Sequence, residues 1–293
     1  MTETVLTETK APDPSAAAAV QAAKKESALW REIKGLFWVL LAVLVFHSLV
    51  AKPFYIPSES MMPGLLKGDR LVVSKYAYGW SWVSPSFHVW PEGKGRLFGR
   101  MPEAGDVVIV TPPGLREDYI KRVIGLPGDT VEVRGGRLIL NGVPIRQQRL
   151  PDRLVLTDAN APCGVEQFAG HLVQRPNGSF ACSLPIVRET LPNGATYDTV
   201  DLGQSIGDDY PPVKVPTNHV FLMGDNRDRS ADSRFALGPA ENGLGGPVPW
   251  ENIGGRAEFI TFSLDGTASW WNPISWLTSL RSGRAGTSLR TKV

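Results

Sequence analysis

The feature that most constrains the fold of this chain is an uncharged, mostly apolar run near the N-terminus, Leu36 to Ala51. Together with the residues from Leu29 onward it can form a helix of about 20 residues, close to the length that crosses a bilayer. Because the strictly apolar part is short, a core helix of a soluble protein is the alternative. Aromatic residues at both ends, which are typical of membrane interfaces, favour a membrane helix.

The basic residues around this run predict its orientation. Lys24, Lys25, Arg31 and Lys34 precede it, whereas Lys52 is the only basic residue close behind it. The positive-inside rule then places the N-terminus in the cytoplasm and everything beyond about residue 52 outside. A cleavable signal peptide is the competing interpretation, but the region before the run is too long for a usual n-region. We therefore expect a permanent anchor.

The composition narrows the class of protein. The 293 residues carry 31 basic and 29 acidic side chains, a net charge of +2. This offers no case for nucleic-acid binding, which calls for a clustered basic face. The 30 Gly and 24 Pro are scattered along the chain, and they suit many short strands and turns better than long helices.

Beyond the anchor, several β-rich apolar runs predict strands. These are Asp69 to Lys75, Asp106 to Thr111, Tyr119 to Leu126, His219 to Met223 and Arg256 to Phe262, with a hairpin of Thr130 to Val133 and Arg137 to Leu140 across Gly135-Gly136. Residues 145–215 are polar and show no clear period, so we expect irregular structure there.

The two cysteines, Cys163 and Cys182, lie in this polar region. No histidine stands at metal-ligand spacing from them, so a zinc site is not predicted. In an oxidising compartment they could form a disulfide that closes a loop of about 20 residues. Two unrelated buried thiols are the alternative.

Three segments carry candidate chemistry: Ser58-Glu59-Ser60-Met61, Tyr119-Ile120-Lys121-Arg122, and the polar stretch Gly224 to Arg234. A serine hydroxyl is a weak nucleophile at neutral pH and needs a base within hydrogen-bond reach. A lysine can be that base only if burial lowers its pKa from about 10.4 towards neutrality. The apolar residues around Lys121 could supply that burial, and the polar stretch could hold the lysine in place.

These segments and their order closely resemble those of the bacterial type I signal peptidases, membrane-anchored Ser–Lys proteases that remove signal peptides from exported proteins. The resemblance spans roughly residues 53 to 262 and is carried by four segments: Pro57 to Pro63, Gly105 to Val110, Asp118 to Asp129 and Gly224 to Phe235. It implies a serine endopeptidase without a cofactor or metal, acting on pre-proteins with Ala-x-Ala-type signal peptides. It also implies a single-pass protein of the bacterial inner membrane, with its catalytic domain on the periplasmic or outer side.

The fold expected on this basis is a transmembrane helix followed by a mostly antiparallel β catalytic domain of the signal-peptidase and LexA-like type. The predicted regions are a disordered cytoplasmic tail (1–27), the anchor helix (28–52), a catalytic β core (53–144 and 213–262), a variable second subdomain (145–212) and a C-terminal tail that is membrane-interfacial or flexible (263–293).

The resemblance assigns the nucleophile to Ser60 and the general base to Lys121. Ser58 would supply a hydroxyl to the oxyanion hole, with the Ser60 backbone N–H as the second donor. Such donors stabilise the charge on the scissile carbonyl oxygen, and losing one typically costs about 3 kcal/mol. Glu59 departs from the family, which commonly carries a small residue there, and this puts fine substrate preference in question.

The same resemblance assigns Ser230 to orient the Lys121 ammonium by a hydrogen bond. Asp232 and Arg234 would form an ion pair that supports the Ser230 loop. Arg122, the neighbour of the base, could depress the pKa of Lys121 by like-charge repulsion.

The substrate is expected to pair with a strand-forming segment beside Ser60 by β-augmentation. Met61, Met62 and Leu65, with Ile124 near the base, are predicted to form shallow apolar pockets. Such pockets would suit the small side chains of an Ala-x-Ala site.

Two aromatic segments raise the question of lipid contact. The loop 80–104 contains five large aromatic residues, which predict either a surface that enters the membrane interface or a small satellite core. After Phe262 the chain carries Trp270, Trp271 and Trp276 and then Arg281, Arg284 and Arg290. Aromatic residues followed by basic ones suit an interfacial segment on anionic lipid, and a disordered tail is the alternative.

Two other functions share parts of this pattern. A self-cleaving regulator of the LexA-like kind has a related catalytic core, but it would be soluble and carry a DNA-binding helix-turn-helix, which we do not find. A non-catalytic, membrane-anchored peptide-binding factor would not need complete nucleophile and base segments. Membrane fractionation separates the first, and turnover of a pre-protein separates the second.

Overall fold

The computed structural model describes residues 14–87, 91–164 and 168–291, and the chain forms two compact units that divide between Phe46 and His47. The described residues of the first unit, 14–46, lie in helix α1 (Pro14–Leu49). Its part Ala28–Leu49, 22 residues with a mean hydropathy of 1.7, is long and apolar enough to cross a membrane. This segment is the predicted anchor, and it ends at residue 49 rather than 52.

The structure differs from the predicted disordered tail at 1–27. Residues 14–27 continue helix α1, and residues 1–13 lie outside the described residues. The physical reason is composition: this stretch is rich in alanine, the residue with the highest helix propensity. Pro14 at the first position of the helix is also favourable, because its fixed φ suits a helix start and its missing N–H would be unbonded there anyway.

The second unit consists mainly of strands. Those in the described part of the chain are β1 (Ala51–Tyr55), β2 (Asp69–Ser74), β3 (Val107–Val110), β4 (Tyr119–Gly125), β5 (Thr130–Arg134), β6 (Arg137–Leu140), β7 (Val143–Pro144), β8 (Arg146–Leu156), β9 (Leu172–Gln174), β10 (Phe180–Thr190), β11 (Thr196–Val200), β12 (Tyr210–Lys214), β13 (His219–Met223), β14 (Val248–Pro249) and β15 (Ile253–Ser263). A short helix, α2 (Pro273–Thr278), follows. All the predicted strands and the predicted hairpin are present, and the mostly antiparallel β fold is confirmed.

The largest sheet has the order β1-β2-β15-β3-β4-β13-β14, and all its pairings are antiparallel. Its central strands β3 and β4 are buried on both faces, which is why their sequences read as continuous apolar runs rather than as alternating ones. Strand β1 leads into the turn that carries Ser60, and β4 carries Lys121. This sheet therefore positions both candidate catalytic residues.

The hairpin β5–β6 belongs to a second sheet of order β12-β5-β6-β7. Gly135 and Gly136 have φ values of 52° and 74°. A tight two-residue hairpin of type I′ needs positive φ at both central residues, which glycine adopts without strain.

The expectation of irregular structure over residues 145–215 is wrong. Strands β8 to β12 lie in this region, and β11-β10-β8, with β9 also on β10, form a third sheet. Strand β8 is mostly exposed on both faces, and β10 is buried along much of its length. Neither strand therefore shows the alternation that would have revealed it. This third sheet occupies the predicted second subdomain.

Cys163 and Cys182 are joined as a disulfide, with their Cα atoms 5.6 Å apart. The bridge ties the segment after β8 to strand β10. Both cysteines lie in an apolar cluster with Leu184 and with Met62, two residues after Ser60. The bridge thus stabilises a core that reaches the turn of the candidate nucleophile.

The C-terminal segment packs against the β domain. Its basic residues form ion pairs, namely Arg281 with Asp158, Arg284 with Asp69 and Arg290 with Glu258. These arginines therefore hold the segment in place, which differs from the predicted role on anionic lipid. Trp270 and Trp271, in contrast, are almost fully exposed.

The aromatic loop after residue 79 is partly ordered by hydrogen bonds. Trp80 donates from Nε1 to the Leu49 carbonyl over 2.8 Å, and its ring meets Phe98 edge-on at 6.0 Å. Phe87 and Phe98 are largely exposed, so these two rings do not form the alternative satellite core. Trp90 lies outside the described residues.

Candidate active site

Ser60 lies in a tight turn between β1 and β2. Within the turn, the Met62 N–H donates to the Glu59 carbonyl over 3.0 Å, and the Leu65 N–H donates to Met61 over 2.9 Å. From the polar segment after β13, Asn226 donates from its backbone N–H to the Ser60 carbonyl over 3.0 Å. The Asn226 side-chain amide donates to the Glu59 carbonyl over 3.2 Å. Hydrogen bonds within the turn and hydrogen bonds from Asn226 therefore both hold the backbone of the nucleophile turn.

Lys121 reaches the serine from strand β4. Its Nζ lies 3.2 Å from Ser60 Oγ, and the two residues are only 4% and 6% exposed. Burial lowers the pKa of Lys121 from 10.5 to about 8, because a charged ammonium loses its hydration there. Asp232 and Asp225 act in the opposite direction, and Arg234 adds a smaller lowering. The arrangement is a serine and a lysine prepared for proton transfer.

Arg122 does not have the predicted effect on the base. Successive strand residues point to opposite faces of a sheet, so Arg122 turns away from Lys121. It donates from Nε and Nη2 to the two carboxylate oxygens of Asp225, over 2.7 and 2.6 Å. Its charge is thereby balanced, and the repulsion that lowers the Lys121 pKa comes from Arg234 instead.

Asp232 and Arg234 form the predicted ion pair. Arg234 donates from Nε and Nη2 to the two Asp232 oxygens, each over 2.9 Å. The Gly224 N–H also donates to Asp232, over 2.9 Å. The arginine and these donors hold the pKa of the buried Asp232 below its ordinary value despite the opposing effect of burial. Asp232 thus presents a fixed negative charge near Lys121.

Ser230 is buried, but the predicted hydrogen bond to Lys121 is not formed. Its Oγ makes no hydrogen bond in the described residues. It packs tightly against Gly224: a Cβ placed on that glycine would lie 2.2 Å from Ser230 Oγ and 2.5 Å from the Ser60 carbonyl oxygen. Lys121 points to Ser60 instead, so Ser230 lies beside the pair with an unused hydroxyl.

Ser58 also approaches the candidate nucleophile. Its Oγ lies 3.3 Å from Ser60 Oγ, and its side chain is exposed towards the cavity in front of the pair. In the described part of the chain, no protein group accepts a hydrogen bond from the Ser60 N–H. Both serines line that cavity.

A cavity of about 330 Å³ opens in front of Ser60 and Lys121. Its walls come from the end of β1 and the segment after it, from the start of β4, and from the polar segment. Among its lining residues are Phe54, Ile56, Tyr119, Asp118 and Ala231. Residues that precede Ser60 and Lys121 in the sequence therefore form part of the cavity wall.

The predicted pocket residues Met61, Met62, Leu65 and Ile124 do not line this cavity. All four are at most 2% exposed and belong to the apolar cores. For Met61, Met62 and Leu65 the reason is the tight turn, which directs the side chains after Ser60 into the interior. Ile124 lies three residues after Lys121 on β4 and therefore on the opposite face of the strand. Alternation could have identified Phe54, Ile56 and Tyr119. Phe54 and Ile56 stand at two-residue intervals before Ser58, and Tyr119 stands two residues before Lys121, so each set shares a face of the extended chain.

Among the described residues, no group of three or more His, Cys, Asp or Glu side chains is placed to hold a metal ion. The two acidic residues at the start of the polar segment have other roles: Asp225 binds Arg122, and Asp228 accepts from the Leu202 N–H.

A buried serine–lysine pair beside an open cavity, on an antiparallel β fold, is typical of a serine hydrolase of the Ser–Lys peptidase class. The comparisons with known proteins lead to the same class. A family model described as signal peptidase, peptidase S26, matches residues 29–262. The chain therefore belongs to the signal peptidase, peptidase S26 family, whose members are serine hydrolases that cleave signal peptides of exported precursors with a characteristic Ser–Lys dyad.

Individual proteins give the extent of the similarity. Signal peptidase I of Rickettsia typhi is 34% identical over 281 residues, which cover 89% of this chain and 94% of that protein. Signal peptidase I of Rickettsia prowazekii is 34% identical over 277 residues, covering 87% and 91%. A crystal structure of a signal peptidase I from Enterococcus faecalis V583 matches with a TM-score of 0.26 and 24% identity, covering 54% of this chain and 97% of that one.

Proposed function

We propose that this protein removes signal peptides from exported pre-proteins, with Ser60 as the nucleophile and Lys121 as the general base. The observation that carries this proposal is the 3.2 Å contact between Lys121 Nζ and Ser60 Oγ at a lysine whose pKa burial lowers to about 8. With a pKa of 8, about a tenth of the lysine is neutral at pH 7. At its ordinary pKa the fraction would be about 300-fold smaller.

The proposed reaction begins when neutral Lys121 accepts the Ser60 proton and Oγ attacks the scissile carbonyl. Negative charge then builds on the carbonyl oxygen, where the Ser58 hydroxyl and the Ser60 N–H can donate to it. The Lys121 ammonium gives its proton to the leaving amine of the mature protein. A water activated by Lys121 finally hydrolyses the acyl-enzyme and releases the signal peptide.

The substrate is proposed to lie extended in the cavity in front of Ser60. The segment from Phe54 to Ser58 and the start of β4 flank this cavity, so both can offer backbone groups to a peptide strand. A volume of about 330 Å³ shared by several substrate positions favours small side chains. This supports a preference for the Ala-x-Ala type of cleavage site.

The anchor is proposed to cross the bacterial inner membrane once, with the N-terminus in the cytoplasm. Lys24, Lys25, Arg31 and Lys34, which precede the uncharged run that begins at Leu36, support this orientation through the positive-inside rule. The catalytic domain would then act on the outer side, where the cleavage site of an exported protein emerges.

Membrane lipid is proposed as a second partner, through the exposed aromatic residues of the C-terminal segment. Trp270 is 86% and Trp271 95% exposed, and Ile274 and Leu277 of α2 are also largely exposed. Exposed tryptophans suit the headgroup region because their rings are amphipathic. The basic residues further along are paired with carboxylates, so this contact would be mainly apolar.

The test is cleavage of a purified pre-protein with an Ala-x-Ala site by the full-length protein in detergent. We expect the wild type to release the signal peptide and Ser60→Ala and Lys121→Ala to be inactive. Lys214→Ala, which changes an exposed lysine on β12, is the matched control and should retain activity. Cleavage should also increase with pH as Lys121 loses its proton near pH 8.

Two outcomes would contradict the proposal. Binding of the pre-protein without turnover by a folded wild type would favour the non-catalytic peptide-binding function. Equal cleavage by the wild type and Lys121→Ala would mean that another group is the base.

A further inference from the structure

A buried ion pair outside the proposed catalytic chemistry joins the second subdomain to the active-site segment. Glu189 of β10 is 1% exposed, and it accepts two hydrogen bonds from Arg227, one from Nη1 over 2.9 Å and one from Nη2. The Tyr197 hydroxyl donates to the same carboxylate over 2.9 Å, and the Gln147 amide donates over 3.1 Å. Glu189 lines no part of the substrate cavity.

Arg227 connects Glu189 to the residues around Lys121 by two further hydrogen bonds. Its Nε donates to the Gly224 carbonyl over 3.2 Å, and its own carbonyl accepts from Arg234 Nη2 over 2.7 Å. Arg234 is the partner of Asp232, the carboxylate that acts most strongly against the lowering of the Lys121 pKa. A shift of Arg227 would therefore move the charges that Lys121 senses.

The backbone of the same subdomain supports the segment as well. Val200, at the end of β11, donates to the Asp225 carbonyl over 2.9 Å and accepts from the Arg227 N–H over 3.0 Å. The residue between them, Asn226, holds the Ser60 carbonyl through its backbone N–H. Asn226 thus connects the nucleophile turn to the second subdomain through hydrogen bonds, in addition to the direct packing of Met62 against the disulfide cluster.

We propose that Glu189 is a positioning residue, which holds segment 224–227 through Arg227 and thereby keeps Ser60 and Lys121 in their reactive geometry. This inference rests on the proposed function, because it assigns to the second subdomain a role in the same reaction. On this proposal, the second subdomain stabilises the geometry of the active site.

The substitution Glu189→Gln keeps the size of the side chain but removes the charge that balances buried Arg227. We expect the segment to loosen, and small displacements of reacting groups are costly: about 1 Å can cost 100-fold in rate. The kcat should fall about tenfold to 100-fold, while the KM stays within about twofold because Glu189 does not line the cavity. The pKa of Lys121 should rise from about 8. Burial is the main cause of its lowering, and Lys121 would be less completely buried when the segment loosens.

The matched control is Asp198→Asn. Asp198 lies on β11 and forms ion pairs with Arg153 and Arg188, and the side-chain hydrogen bonds that its carboxylate accepts come from these two arginines. The full-length wild type and both variants are compared in detergent for kcat and KM on the pre-protein. The Lys121 titration is followed by NMR of protein labelled with ¹³C at the lysine ε carbon, and its signal is assigned with Lys121→Met.

A lower kcat and a raised Lys121 pKa in Glu189→Gln, with Asp198→Asn close to wild type, would support the proposal. If both variants match the wild type in these two readouts, or if only the thermal stability falls, the proposal is overturned. Tyr197→Phe is the second variant and decides the matter if Glu189→Gln does not fold. It removes one bond to Glu189 without changing the charge, and we expect a smaller effect in the same direction. No change in either readout for this variant would overturn the proposal.

The NMR titration also separates this inference from the proposed function. If the wild type cleaves no pre-protein but the Lys121 pKa still moves with Glu189, the cleavage proposal fails and the positioning role stands.

Discussion

Lys121, the proposed general base, is expected to reduce the stability of the folded protein. Its pKa is about 8 in the folded chain and 10.5 when exposed. A difference of this size corresponds to about 3 kcal/mol, at about 1.4 kcal/mol for each pH unit. Replacing it in Lys121→Met removes the buried charge but also the hydrogen bond to Ser60, worth about 1 kcal/mol. The variant should therefore be more stable than the wild type at pH 7, by about 2 kcal/mol, although it is inactive.

The direction in which stability changes with pH follows from the two pKa values of Lys121. The folded pKa of Lys121 is lower than the unfolded one, so between pH 8 and 10.5 the unfolded chain binds more protons and the wild type gains stability as the pH rises. Below pH 8 the cost of the buried charge is fully present. The advantage of Lys121→Met should thus be complete at pH 7 and close to zero near pH 9.5.

Thermal unfolding of the full-length protein in detergent tests this at pH 7 and pH 9.5. For a chain of this size, about 2 kcal/mol corresponds to a Tm difference of about 4–8 °C. Lys214→Met, at an exposed position, controls for the loss of a lysine as such and should show no pH-dependent gain. A Lys121→Met variant that is less stable than the wild type at pH 7, or that differs from it equally at both pH values, would refute the reasoning.

Two further predictions concern stability away from the reacting atoms. Burial also lowers the pKa of Lys75 to about 8, so Lys75→Met should raise the Tm at pH 7 and leave pre-protein cleavage within about twofold. A loss of cleavage in the folded variant would show that Lys75 has a role in the reaction. Replacing both Cys163 and Cys182 by serine opens a loop closed across 19 positions and should cost about 3 kcal/mol. Differential scanning calorimetry should show a Tm lower by about 6–12 °C, with cleavage retained at 25 °C; an unchanged Tm would contradict this.

Local patterns in the sequence were sufficient for much of the β domain. Apolar runs identified strands such as β3 and β13 within a residue or two, and Gly135-Gly136 identified the β5–β6 hairpin. The same reasoning failed for β8 and β10, because a strand that is exposed or buried on both faces shows no alternation. Partner strands define these two, and no local pattern reports which strands will pair. The order of the large sheet, with β15 between β2 and β3, was likewise inaccessible.

The candidate site shows the same division. Motifs placed Ser60 and Lys121, and the Asp232–Arg234 pair formed as expected. The errors came from side-chain direction: Arg122 points away from the base, and Met61 and Leu65 point into the core rather than into the substrate cavity. The role proposed for Glu189 had no sequence signal, because its partner Arg227 lies 38 residues away and their pairing depends on the fold.

Ser230 provides the sharpest test of how the site is built. A buried hydroxyl without a partner typically costs about 1–3 kcal/mol, and Ser230 Oγ is such a group. Ser230→Ala should therefore not destabilise the protein, and we expect its Tm to stay the same or rise. If Ser230 had only a structural role, it could therefore be replaced by alanine without loss of stability.

In the proposed reaction this hydroxyl has a hydrogen-bonding role that it lacks in the resting site. When Lys121 has taken the Ser60 proton, its ammonium has three donors and needs acceptors within the buried site. Ser230 Oγ lies beside Gly224 and close to the Ser60 carbonyl, so it can accept from the ammonium as that charge forms. We expect Ser230→Ala to lower kcat about tenfold to 100-fold with little change in KM, measured on the same pre-protein. An unchanged kcat would mean that the hydroxyl has no part in the reaction, and a lower Tm would mean that it stabilises the resting fold through a bond that this structure does not contain.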